Sequence, residues 1–318
     1  EFERNPLYWN DKETVINSAT FLAIENPSTD VARYRAGDLD MTNYGLPPEQ
    51  FAKLQKELPG EVYITRTLAT YSYELNNKKA PFDNVNVRKA LNLSLDRNVI
   101  TDKVLGQGQT PTYVFTPTYI EEGHLIQQPA YSKEPMAQRN EEAIKLLEEA
   151  GYSKANPLKF SILYNTNENH KKVAIAAASM WKANTKGLID VKLENQEWKT
   201  YIDSRRAGRY DAARAGWNAD YNQATTFGNY FLSNSSNNTA KYANPEYDKA
   251  IAESYVATDA EGRAKAYAKA EEILAKDFGI VPIFNYVNPR LVKPYVKGYS
   301  GKDPQDHIYL RNLYIIKH

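Results

Sequence analysis

The chain has 318 residues, with 40 Lys and Arg against 39 Asp and Glu and a formal net charge of +1. That balance offers no field to attract nucleic acid or an acidic membrane face, and no stretch approaches the roughly 18 consecutive apolar residues of a membrane span. The absence of cysteine excludes disulfides, thiolate chemistry and cysteine metal sites, while leaving the compartment open. The length allows one domain or two. Tyrosine outnumbers the other aromatics, 24 against 10 Phe and 4 Trp. Its stacking face and hydrogen-bonding tip suit a polar cavity or a wet interface better than a dry core.

In chain order, Glu1-Phe2-Glu3-Arg4 carries neither an initiator Met nor a signal peptide. It reads as the middle of a strand, which points to processing or truncation. A turn at Asn5 to Asn10 leads to an apolar run, Val15 to Ile24, expected as a strand. Ser28, Thr29 and Asp30 offer caps for a helix through Tyr34 that Gly37 ends. Asp38 to Thr42 reads as a short strand. Pro47 and Pro48 open a helix with Phe51, Leu54 and Leu58 on one face. Glu61 to Leu75 is rich in Val, Ile, Thr and Tyr, a long strand.

Pro81 to Gly106 reads as one helical block capped by Asp83 or Asn84. Gly106 to Pro135 is irregular. Asn140 is the expected cap of a helix with Ile144, Leu147 and Ala150 inward. Strands at Leu158 to Tyr164 and Val191 to Asn195 then alternate with helices at Lys171 to Asn184 and from Trp198, giving an α/β unit whose ligand sites belong at strand ends. Helices follow near Glu246 to Tyr255 and Asp259 to Lys276, then a buried strand at Ile280 to Phe284. The tail, Leu310 to Ile316, alternates like a strand suited to completing a sheet begun far upstream.

Catalytic patterns are absent. The four histidines, His124, His170, His307 and His318, have no metal-ligand spacing. No nucleophile elbow and no phosphate-binding glycine pattern occurs. Acidic pairs such as Glu148-Glu149 diverge on a helix and read as solvated faces. Carboxylates brought together only by the fold stay open as a hydrolase alternative. No cofactor and no metal is expected.

The stretch from Asp211 to Asn222 stands apart. It reads as a buried strand running into a loop, with Arg214 and Asp220 six positions apart, about 20 Å if extended. It can offer a cation to one end of a small zwitterion and an anion to the other. A loop Asp is more often a turn or cap, and a strand Arg more often a surface residue. His170, after the capping run Asn165 to Asn169, reads on its own as a loop histidine without a role.

Several runs carry a resemblance: Asn5-Pro6-x-Tyr8-Trp9, Tyr34-x-Ala36-Gly37-Asp38-Leu39-Asp40, and Pro81-Phe82-Asp83 through Val87-Arg88-Lys89-Ala90 to Asp96-Arg97. Leu146-Leu147-x-x-Ala150-Gly151-Tyr152, Leu163-Tyr164-Asn165-Thr166, Glu194 to Thr200 and Arg214-Ala215-Gly216-Trp217-x-x-Asp220-Tyr221-Asn222 extend it. So does the ending Asn312 to His318. Together they resemble the extracytoplasmic solute-binding proteins of peptide ABC importers. The likeness runs along the whole chain and matches about the C-terminal three fifths of that family's mature protein.

The resemblance implies an α/β, two-lobe, periplasmic-binding-protein-like architecture with mixed sheets, flanking helices and a ligand cleft between lobes. Residues 1–68 with 288–318 would contribute to the first lobe, and 69–287 would form the second and carry most of the site. It implies a monomeric, exported, non-enzymatic protein that clamps short peptides in extended form and delivers them to ABC importer permease subunits. Asp220 would take the ligand's α-ammonium, the backbone of Gly216 and Asn218 would pair with the peptide, and Arg214 and His170 would serve the carboxylate end. Trp198, Arg205, Trp217 and Tyr286 would line side-chain pockets, with Asn43, Tyr44 and Tyr71 nearby. Leu105 stands where family members carry a carboxylate-binding Lys, a departure shared with the relative that binds cell-wall tripeptides. Ala69 and Asn218 stand where some members carry a cysteine pair, and Arg206 adds a cation after Arg205. A cell-wall tripeptide, glutathione or haem are the alternative ligands.

Overall fold

The computed structural model describes residues 1–24, 26–43 and 45–317. Strands β1 (Phe2–Glu3) and β2 (Ser18–Ala19) form a short antiparallel ladder. The strand expected over Val15 to Ile24 pairs at those two residues only. Val15, Phe21 and Leu22 remain exposed, and among the described residues no further strand pairs with them. Helix α1 (Pro27–Ala36) starts from Asn26, whose side chain accepts from the N–H groups of Ser28 and Thr29, and Gly37 closes it at φ 88°. The cap thus lies two residues before the earliest one expected. Helix α2 (Pro48–Glu57) turns Phe51 and Leu54 inward. The strand expected at Asp38 to Thr42 is reduced to a bridge between Met41 and Val292.

Beyond β3 (Val62–Leu75), the expected helical block is broken. Helix α3 (Val85–Leu93) begins at the Asn84 cap, and a π-helical turn occupies Val99–Leu105. Arg97 explains the break. It is fully buried, and its guanidinium donates to the carbonyls of Asn92, Leu95, Thr112 and Pro282. A buried charge must be solvated by protein, and here main-chain carbonyls at the end of α3 take that role together with those of Thr112 and Pro282.

After β4 (Thr110–Pro111), helix α4 (Met136–Glu149) starts at Pro135, so Asn140 lies inside it, not at its cap. The alternation that follows is β5 (Leu158–Asn165), α5 (Glu168–Asn184), β6 (Ile189–Gln196), α6 (Trp198–Arg206) and β7 (Ala212–Asn218). Strand β5 runs parallel to both β6 and β7, whereas β7 is antiparallel to β3. Helices α7 (Thr225–Gly228), α8 (Pro245–Val256) and α9 (Ala260–Lys276) precede the long β8 (Ile280–Leu291). The six-stranded sheet has the order β4-β8-β3-β7-β5-β6, a mixed α/β sheet with helical crossovers. The tail does not join it. A 3-10 turn takes up Leu310–Asn312, and β10 (Tyr314–Ile315) pairs with the nearby β9 (Val296–Lys297).

Two compact units result. One comprises 1–67, 106–108 and 287–318, and the other 68–105 and 109–286. The first is organised on Val31, Tyr34, Leu46, Phe51, Leu54 and Leu291. The larger unit packs α3, α4 and α5 against one face of the sheet, with Trp181, Phe160, Leu91 and Tyr73 among the buried residues. Trp181 is fully buried, and its indole N–H donates 2.9 Å to the Leu91 carbonyl. Trp181→Ala removes that bond and leaves a cavity, a loss of about 3–5 kcal/mol. Urea unfolding followed by circular dichroism should show the midpoint falling accordingly.

Candidate functional site

The larger unit holds most of the residues singled out in the sequence, and β7 arranges them. Its register with β3 places Ala69 opposite Asn218, Thr70 opposite Trp217, Tyr71 opposite Gly216 and Tyr73 opposite Arg214. Two flanking bonds set the phase of the ladder. Ala219 N–H donates to the Leu68 carbonyl at 2.8 Å, and Asn76 N–H to the Asp211 carbonyl at 3.1 Å. In an antiparallel pair each residue's N–H and C=O point the same way, alternating along the strand. The main chain of Asp211, Ala213, Ala215, Trp217 and Ala219 therefore faces β3, and that of Arg214, Gly216 and Asn218 faces the opposite edge.

On that outer edge, β5 pairs with β7 at Ala212 and Ala213 and then diverges. The Arg214 carbonyl accepts from the Tyr201 hydroxyl. Among the described residues no strand pairs with β7 beyond this point, so Gly216 and Asn218 present N–H and C=O groups along an open edge.

The strand also sorts side chains onto two faces. Arg214 and Gly216 share a face with Tyr71 and Tyr73. The half-buried Arg214 donates to the Tyr286 hydroxyl at 2.5 Å and to Asn165 Oδ1 at 3.4 Å, and its guanidinium carbon lies 5.1 Å from the Tyr71 ring centre. Tyr71 in turn stacks on Phe284, with ring centres 4.7 Å apart, and meets His170 at 5.6 Å. His170 sits in the first turn of α5, where the Asn167 side chain accepts from its backbone N–H at 3.2 Å. Burial, and secondarily the Arg214 charge, push the His170 imidazole well below its ordinary value of 6.5. The helix N-terminus acts in the same direction.

Trp217 lies on the other face. Its indole N–H donates 2.9 Å to the Thr226 carbonyl, and its ring meets Tyr230 edge-on at 4.8 Å. Arg205 is also there, buried against Glu74 at 2.8 Å, Thr239 at 3.0 Å and Tyr230 at 3.2 Å. Its guanidinium is occupied by a buried carboxylate. Trp198 is exposed at the start of α6, 5.8 Å from the Tyr201 ring, and Arg206 is exposed at the other end.

Asp220 follows the last β3 pairing and is exposed. Its N–H donates to Thr226 Oγ1 at 3.1 Å, and that hydroxyl donates to its carboxylate at 3.3 Å. Thr226 therefore fixes both Trp217 and Asp220. Asn43 belongs to the smaller unit, where its backbone N–H donates to Asp30 at 3.1 Å. Tyr44 lies outside the described residues. Leu105 is buried in the core beneath the sheet.

Sequence reasoning missed Thr226, the Asn165 contact to Arg214, Phe284 beneath Tyr71, and Glu74 as the partner of Arg205. Only Phe284 left a signal, in the aromatic alternation Phe284-x-Tyr286. The others are joined by contacts between residues far apart in the chain. Among the described residues no three His, Asp or Glu are grouped to hold a metal, and no helix is long and apolar enough to cross a membrane.

Residues 1–239 match the family of bacterial extracellular solute-binding proteins, family 5 Middle. The chain is 97% identical over 318 residues to the periplasmic oligopeptide-binding protein OppA of Haemophilus influenzae, matching all of this chain and 59% of that protein. It is 54% identical over 316 residues to OppA of Salmonella typhimurium, covering 99% of this chain and 58% of that one. The crystal structure of Haemophilus influenzae OppA in complex with RPPGFSPFR superposes with a TM-score of 0.95 at 96% identity, over 99% of this chain and 61% of that one. The chain thus spans a little under three fifths of the curated relatives it matches.

The depressed His170 has a consequence for stability. Its folded value lies below its unfolded one, so this group costs nothing above about pH 6.5 and destabilises the fold progressively as pH falls below it. His170→Gln should remove that part of the acid-side decline. Urea midpoints of the two proteins should converge between pH 6.5 and 5 from their separation at pH 7.5, with the variant gaining relative to the parent as pH falls.

Proposed function

The chain belongs to family 5 of the bacterial extracellular solute-binding proteins, and on that premise we propose that it binds short peptides in extended conformation along the open edge of β7. The observation that carries this reading is that edge: the main-chain groups of Gly216 and Asn218 point outward, unopposed by β5, between a cation and an anion on the same segment. Strand addition is a general way to bind peptides without reading their sequence, because it uses groups every peptide has. In this reading Asp220, held by Thr226, takes the α-ammonium. Arg214 and His170 meet the carboxylate of the shortest ligands. Tyr71 and Tyr286 wall that end, Trp217 and Trp198 contribute apolar surface, and the buried Arg205–Glu74 pair braces the site from behind. The role is binding and delivery to an importer in the periplasm, not catalysis.

The geometry bears on ligand length. The Arg214 guanidinium lies beside Gly216, four residues before Asp220, a backbone span of about 13 Å. An extended peptide of about four residues spans that distance, whereas nine residues reach up to about 30 Å. A ligand as long as the one in the Haemophilus influenzae OppA complex would then keep only its ammonium end on β7. Leu105 adds no charge for the far end, so the shortest peptides depend on Arg214 and His170.

Titration calorimetry with matched peptides checks the ammonium anchor. N-acetylation should weaken binding by about 2–5 kcal/mol, the range for removing one member of a desolvated charge pair. Asp220→Ala should produce the same loss with the free peptide and no further loss with the acetylated one. Equal affinity of the parent chain for both ligands contradicts the role given to Asp220.

A further inference from the structure

A glycine inside a strand needs a reason, because it weakens the strand. Gly216 does not have a positive φ, so backbone conformation supplies none. The space around it does. A Cβ placed there would lie 2.9 Å from Arg214 Nη2, 3.0 Å from the Tyr286 hydroxyl and 3.4 Å from the Arg214 guanidinium carbon. All three atoms are ends of side chains, and no backbone atom is among the nearest three. The missing side chain is therefore replaced by the Arg214–Tyr286 contact itself.

We propose that Gly216 is the positioning residue for Arg214. The gap it leaves lets the guanidinium fold back along the strand onto the Tyr286 hydroxyl, and so sets where a ligand carboxylate is met. This rests on the proposed role of Arg214 at the carboxylate end and adds the residue that determines its location. Residues two apart in a strand share a face, so the arginine has a direct path over position 216. Its partners in that position are neutral, the Tyr286 hydroxyl and the Asn165 amide oxygen. The cation is thus oriented without being neutralised, and its charge remains available to an anion. Arg205 shows the contrast, since its charge is already matched by Glu74.

Any side chain at position 216 displaces the guanidinium. The displaced atoms are flexible tips, so Gly216→Ala should leave the sheet in place. Two readouts test the proposal. In the parent chain a tripeptide with a free C-terminus should bind more tightly than its C-terminal amide, and Gly216→Ala should reduce that ratio at least threefold. An unchanged ratio in the variant overturns the positioning role. A parent chain that does not distinguish acid from amide overturns the carboxylate reading of Arg214 instead. The second readout needs no ligand. NMR titration should show the His170 midpoint moving in Gly216→Ala, because the Arg214 guanidinium that contributes to it is displaced. A His170 midpoint equal to that of the parent shows that the guanidinium stayed where it was, and overturns the proposal without reference to binding.

Discussion

The site depends on the register between β3 and β7. Because side chains alternate across a strand with a period of two, a one-residue slip would exchange the two faces of β7. Arg214 and Gly216 would then face the core that holds Tyr230 and Glu74, and Trp217 would face Tyr71 and Tyr286. The main chain would invert with them, turning the outward groups of Gly216 and Asn218 into β3. The register that brings Tyr71 opposite Gly216 thus decides both which side chains flank the open edge and that there is an open edge. The Leu68–Ala219 and Asn76–Asp211 bonds at the two ends of the ladder keep to it, and the ladder between them has no bulge.

Charge is handled in three ways in the larger unit, and the difference sets the scaffold apart from the proposed site. Arg97 is buried without a carboxylate and is solvated by carbonyls, at the expense of helix continuity. Arg205 is buried with Glu74, Thr239 and Tyr230 around it. Breaking one partner out of a buried pair such as Arg205–Glu74 is strongly destabilising, so that pair holds the fold together. Arg214 is half-buried among neutral oxygens and an aromatic face, and Asp220 is exposed beside Thr226. These two place charges of opposite sign on one strand and its following turn.

Much of this was legible in the sequence, for identifiable reasons. The α/β alternation from Leu158 onward has strong periodicity and good caps, and its strands and helices form where expected. The motif around Arg214, Gly216, Trp217 and Asp220 is a contiguous run, so its placement on a strand and its following turn could be read directly. What could not be read depends on contacts over long sequence separations. The break after α3 follows from carbonyls at Thr112 and Pro282 that draw Arg97 inward. The assignment of Arg205 to Glu74, 131 positions away, is invisible to local pattern. At the chain's two ends the expected strands shrink to two-residue ladders, because alternation indicates a strand's tendency but not its partner. The odd-and-even division of β7, which puts Trp217 behind the sheet from Arg214, follows from the period of two once the strand is accepted.

The central claim is that a peptide adds to the outer edge of β7. Residue-resolved amide hydrogen exchange, with and without a saturating tripeptide, tests it most directly. The amides of Gly216 and Asn218 should exchange quickly in the free protein and slow markedly on binding, while those of Ala215 and Trp217, already committed to β3, should change little. Saturation with peptide that leaves Gly216 and Asn218 exchanging as before would contradict the account.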